Sequence, residues 1–134
     1  MVKFIDPQKG IFINRYKRFF TTIRVGDEEF TCYCPNTGKM SDILNQGNEC
    51  IISRVPSTIS LWWQAVCQEG CWVGVNTFIP NKLVQEILHK LFPKEIFKRE
   101  VQFQSYRADF ANSSIVIEVK HVHWKQGQIA LFPD

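Results

Sequence analysis

The chain has 134 residues, 45% of them hydrophobic, with eleven Phe and four Trp. That is enough for one ordinary domain or two very small ones, and it excludes a disordered tail. A net charge of +3 permits a nucleic-acid partner and excludes the dense cationic character of a histone-like protein, so where the charge sits matters more than its sum.

The opening "MVKFIDPQKG" has no apolar leader followed by small residues, so no secretory signal is expected. No apolar run approaches the roughly 18 residues that cross a bilayer. The expectation is a soluble, cytoplasmic protein with no membrane partner. Cys32, Cys34, Cys50, Cys67 and Cys71 are odd in number, which argues against a disulfide framework. They pair as C-x-C and C-x3-C, and structural zinc sites use C-x2-4-C twice; C-x-C falls outside that, so small half-buried hydrophobes are the favoured reading and zinc the minor one.

The first half reads as β. "FFTTIRV" (19–25) is β-branched and aromatic, and a Gly-Asp turn leads into the alternating "EEFTCYC" (28–34). Pro, Asn and Gly make "PNTGKM" (35–40) a loop. "GNECIISRV" (47–55) and "TISLWWQAVC" (58–67) are further strands, the latter turned by "QEG" into "CWVGV" (71–75). Short strands at regular spacing suggest a small barrel or a Greek-key unit, and five strands would fit a barrel of the OB type, whose faces often take oligonucleotides. Trp62, Trp63, Trp72 and Trp124 are expected to anchor the core or a domain junction.

The character changes near residues 76–80. Asn81 after Pro80 looks like a helix N-cap. Leu83, Val84, Ile87, Leu88 and Leu91 then recur at helical spacing until Pro93 stops the helix. Glu86 lies off that stripe. "REVQF", "YRADF" and "SIVIEVKHV" follow as strands. The predicted fold class is α+β: an OB-type barrel over 1–78, then a helix and three strands over 79–134.

Strand parity carries the chemistry. Arg107 and Asp109 share one face of their strand, and Ala108 and Phe110 the other; Glu118 and Lys120 share one face of theirs, and Ile117 and Val119 the other. Joining the apolar sets puts Asp109 on the side of Glu118. A turn at Asn112-Ser113 makes the two diagonal, and one at Ser113-Ser114 makes them directly opposite. At either separation, about 5 to 8 Å at Cβ, two carboxylates can share a hard cation, with Lys120 beside them to steady a water or a phosphate. This is the chemistry of a PD-(D/E)xK nuclease core, with Ala108 where that pattern has proline and Glu86 where it has a helix acid. On the pattern alone the plainer reading is a solvated hairpin face, carrying a cross-strand ion pair worth ~0.5 kcal/mol.

Elsewhere, "NRYKRFF" interleaves Arg15, Lys17 and Arg18 with aromatics. Read as a strand, it places Arg15 and Lys17 on one face and Arg18 on the other; an amphipathic edge strand and a nucleic-acid face are equally consistent with that. The loop around Asn36 can offer backbone N–H groups to a phosphate but lacks Walker spacing. His121 and His123 alternate on one strand face and are weak candidates for metal ligands.

The stretches "FINRYKRFF" (12–20), "CPNTGKM" (34–40), "VGVNTFIPNKLVQE" (73–86), "YRADF" (106–110), "IEVKHV" (117–122) and "LFPD" (131–134) fall in an order that resembles the sugar fermentation stimulation protein family. The resemblance implies an OB-type barrel joined to a partial restriction-endonuclease-like domain, and DNA as partner. It assigns Asp109 and Glu118 to a Mg or Mn ion, Lys120 to catalysis and Glu86 to the helix acid. It also favours Arg15, Lys17, Arg18, Asn36 and Arg107 as DNA contacts. Possible Mg-dependent phosphodiester hydrolysis follows; the alternatives are a non-catalytic DNA-binding regulator of sugar metabolism, or an inactive remnant. Family members continue past the Phe-Pro-Asp element, so a shortened chain, or one completed by a homodimer or second chain, is also implied.

Overall fold

The computed structural model describes residues 1–56 and 58–131. Six strands come first: β1 (Ile5–Tyr16), β2 (Phe20–Val25), β3 (Glu28–Tyr33), β4 (Glu49–Val55), β5 (Thr58–Gln68) and β6 (Cys71–Gly74). Helix α1 (Ile79–Leu91) follows, then β7 (Lys98–Gln102), β8 (Arg107–Ala111), β9 (Val116–Ile117), β10 (Trp124–Gln126) and β11 (Ile129–Leu131). Packing divides the chain into two units. One holds Lys3–Thr77 together with the segment from Val122 onward, and the other holds Met1–Val2 and Phe78–His121.

In the first unit β1 lies between β2 and β4, β2 pairs β3, and β4 pairs β5, all antiparallel. A parallel pairing of β3 with β5 at Tyr33 and Trp62 closes the ring. The result is the five-stranded barrel of an OB fold, with β6 added along β5. Closure needs a strand that serves two sheets. The 12-residue β1 does this: its first half pairs β4 and its second half β2, with register shifts between Ile5 and Gln8 and between Phe12 and Asn14. Gly10 sits in this strand because a Cβ there would meet Ile23 Cγ2 at 2.5 Å and the Arg24 carbonyl at 2.9 Å.

Alternation fills the barrel. Phe12, Ile23, Cys32, Cys34, Cys50, Ile52, Trp63, Val66 and Val75 point inward, joined by Met40 and Ile43 from the loop between β3 and β4. Phe12 stacks on Trp63 with ring centroids 5.3 Å apart, and the Trp63 indole N–H donates to the Ala65 carbonyl at 3.0 Å. Cys32, Cys34 and Cys50 behave as the small hydrophobes expected; burial pushes the thiols of Cys32 and Cys50 up to about 12. Trp63 is the core anchor, whereas Trp72 and Trp124 are 44% and 52% exposed, contrary to the anchoring role expected of them.

In the second unit α1 accompanies an antiparallel sheet ordered β7-β8-β9. The helix starts two residues earlier than its expected cap. Phe78 is the N-cap without a side-chain hydrogen bond, Pro80 lies in the first turn, and Asn81 is inside the helix. Only Leu88 of the apolar stripe is buried, while Leu83, Ile87 and Leu91 remain exposed. Leu88 and Phe110 line a cleft of about 180 Å³. The third strand is much shorter than "SIVIEVKHV" suggests, ending at Ile117. The hairpin of β10 and β11 around Gly127, at φ 59, has no strong alternation to announce it.

Candidate metal and nucleic-acid sites

Asp109 sits on β8 between Ala108 and Phe110, each 1% exposed. Those two inward side chains fix the strand's facing and turn Asp109 to the other side. Phe110 pairs Ile117 and Ala111 pairs Val116. One pair further along that register Glu118 would stand across from Asp109, but the paired strand ends at Ile117. Of the two turns the sequence allows, the structure takes the one at Ser113-Ser114. Asn112 closes it: its backbone N–H donates to the Ile115 carbonyl at 3.0 Å, and its side-chain oxygen accepts from the N–H groups of Ser114 and Ile115.

Beyond Ile117 the chain leaves regular pairing, and Asp109 supplies the reason. Its Oδ2 accepts the Val119 N–H at 2.7 Å, in place of a strand partner. Its Oδ1 accepts from the Asn81 side-chain amide at 3.0 Å. Asn81, expected to cap the helix, instead ties α1 to β8. Glu118 and Lys120 are exposed and ion-paired through Oε1 and Nζ. Glu86, on α1, meets the N-terminal ammonium of Met1 at 3.2 Å. Asp109 is therefore joined to the segment that bears Glu118 and Lys120 through the Val119 N–H. Among the described residues no three His, Cys, Asp or Glu side chains gather into a metal-binding group, so Glu86 does not complete a triad.

The basic residues of the barrel separate into two kinds. Arg15 turns toward the loop after β3: its guanidinium donates to the carbonyls of Arg18 at 2.9 Å, Asn36 at 2.6 Å, Gly38 at 2.6 Å and Lys39 at 3.1 Å. Asn36 is 5% exposed; its amide donates to the Val75 carbonyl at 2.9 Å and its oxygen accepts the Gly38 N–H at 2.8 Å. Both residues, expected at a DNA surface, have their polar groups engaged within the protein. Lys17 and Arg18 differ. They form the tip between β1 and β2 at φ 50 and 62, not a continuing strand, so they do not alternate between faces as expected. Arg107 is exposed at the start of β8.

His123 bonds inside the first unit. Its Nε2 lies 3.1 Å from the Gly74 carbonyl and 3.4 Å from the Asn36 amide. The sequence offered no sign of this closure, because it joins residues 49 apart.

A closed five-stranded OB barrel followed by a helix and a hairpin bearing Asp and Glu-x-Lys defines a class: a barrel coupled to a partial restriction-endonuclease-like unit. The profile of the SfsA N-terminal OB domain matches residues 13–75, and that of the sugar fermentation stimulation protein RE domain matches 78–134. The chain belongs to the sugar fermentation stimulation protein family. It is 38% identical to the sugar fermentation stimulation protein homolog of Microcystis aeruginosa, over 94% of this chain and 60% of that protein. It is 34% identical to a homolog from Prochlorococcus marinus, over 100% of this chain and 65% of that protein. The solved structure of Pyrococcus furiosus SfsA in complex with Ca2+ superposes with a TM-score of 0.81 at 22% identity, covering 98% of this chain and 62% of that one. The chain thus spans about three-fifths of the length of these relatives. Among the described residues no helix is long and apolar enough to cross a membrane. Of the family stretches in the sequence, Phe132, Pro133 and Asp134 lie outside the described residues.

Proposed function

We propose that the chain is a DNA-binding protein whose second unit carries a divalent-metal site for phosphodiester hydrolysis. The observation that supports this reading is the hairpin in which Asp109 accepts the Val119 N–H, between Glu118 and Lys120, while Lys120 pairs with Glu118. The donor type fits a hard cation, for which the carboxylates of Asp109 and Glu118 are the oxygen ligands on offer. Mg2+ or Mn2+ is the cation expected, and the Ca2+ complex of the Pyrococcus furiosus relative is consistent with an oxygen-donor site. Such an ion, when bound, would lower the pKa of a water and neutralise phosphate charge. The residues of the chain then divide the work. Asp109 is held in place by Asn81 and the Val119 N–H. Lys120, which pairs with Glu118, would supply positive charge for a phosphate held beside such an ion.

One observation favours a second reading, a non-catalytic DNA-binding regulator. Both Asp109 oxygens already accept hydrogen bonds, and Glu86 is paired elsewhere. Incubation of the purified chain with plasmid and oligonucleotide DNA separates the two. Cutting that requires Mg2+ or Mn2+, stops with chelator and falls at least a hundredfold in Lys120→Ala supports the hydrolase. Salt-sensitive binding without metal-dependent cutting supports the regulator.

A further inference from the structure

Four aromatic residues stand in one register row across the outside of the barrel. Tyr16 pairs with Phe20, Phe20 with Tyr33, and Tyr33 with Trp62. Partners in register share a side of the sheet. The chain neighbours Thr21, Cys32 and Trp63 are fully buried, so the row faces outward. Tyr16 and Phe20 stack at 5.6 Å, and Phe19 lies almost parallel to Tyr33 at 6.5 Å. Tyr33 meets Trp62 at 4.9 Å. Tyr16, Phe19 and Phe20 are each 40–43% exposed. Scattered exposed aromatics are ordinary; a contiguous row is not, because it leaves apolar area in water that inward packing would remove.

The hairpin tip beside this row is cationic. Lys17 and Arg18 both hold positive φ, a conformation that such turns usually give to Asn or Gly. Backbone strain is therefore accepted at the point where two cations reach solvent. The acids of the next turn lie at the other end of the ladder. Arg24 pairs Glu29 four positions beyond the Phe20–Tyr33 pair, roughly 13 Å along the strand.

We propose that this row is a stacking platform for unpaired bases, with Lys17 and Arg18 holding the phosphates, so that the barrel takes single-stranded nucleic acid. Aromatic faces add affinity only for bases that can leave their own stack, which a duplex does not offer. This deepens the DNA-binding reading above and depends on it, but not on the metal site.

The test is fluorescence anisotropy with a labelled twenty-nucleotide oligo-dT and a fully paired hairpin of equal phosphate count, with chelator present. The expected result is tighter binding of oligo-dT by at least tenfold. Phe20→Ala and Tyr16→Ala should each weaken it by about 5- to 100-fold with little change for the hairpin. Phe20→Tyr should retain binding. Phe20→Leu, which keeps an apolar side chain but removes the π-face, should lose it while melting as the parent does. Lys17→Ala should weaken both ligands and lower the salt slope by about one. Equal binding of hairpin and oligo-dT overturns the platform but leaves DNA binding intact. Oligo-dT binding unmoved by Phe20→Leu and Tyr16→Ala overturns it as well. Binding of neither ligand overturns both readings.

Discussion

Arg15 supplies a fixed cation to four carbonyls that would otherwise need water or a turn partner. Three of those carbonyls belong to the loop Asn36–Lys39, which has no regular ladder of its own. A guanidinium suits this because its donors fan out in one plane, and lysine has no such fork. Arg15→Ala should therefore destabilise the chain by about 2 kcal/mol, and Arg15→Lys should recover little of that; urea melts followed by tryptophan fluorescence read the difference. The same residue shows what sequence could not convey. Its setting among Lys17, Arg18 and aromatics suggested a surface cation, and composition alone does not distinguish a guanidinium turned toward phosphate from one turned toward backbone. Asn36 is the parallel case. Its turn-forming character was evident, but its burial depends on Val75, 39 residues away.

Parity survives at the scale of elements where one side is packed. The facing of Asp109 follows from Ala108 and Phe110, and the barrel strands follow from their β-branched and aromatic alternation. What parity did not give were lengths. "SIVIEVKHV" alternates to its end, yet pairing stops at Ile117 because Asp109 takes the Val119 N–H that a ladder would have used. Helical spacing likewise predicted α1, while the burial of its stripe depends on how much sheet is available, and three strands cover little beyond Leu88. The close approach of β1 to β2 yields a prediction at this scale. Gly10→Ala must displace Ile23 or the Arg24 backbone, so a loss of about 1–3 kcal/mol is expected, measured as a lower denaturation midpoint. Gly26→Ala meets nothing within 4 Å, so its cost comes from the positive φ alone.

For the molecule as a whole, the buried thiols set a limit on alkaline conditions. Cys32 and Cys50 keep their protons to about 12 when folded, because burial disfavours the thiolate, against 9.0 for an ordinary thiol. Between those values the unfolded chain has released protons that the folded chain retains. This stability is intact below pH 9 and is lost as the pH climbs toward 12, by up to about 1.4 kcal/mol per unit for each thiol. Melting temperature should fall steeply above pH 9, and the double variant Cys32→Ala/Cys50→Ala should show a shallower decline. Below that range the same burial implies that a thiol reagent labels Cys71, which is exposed, long before Cys32, Cys34 or Cys50.

The grouping of residues from Val122 onward with the barrel has a consequence for biosynthesis. His123 meets the Gly74 carbonyl only after the chain between them, residues 75–122, has been made. On a ribosome the strands of the barrel emerge first, and the unit holding Asp109 and Glu118 is translated before the segment that returns to Gly74. The barrel unit is thus completed only after the segment Phe78–His121 has been made.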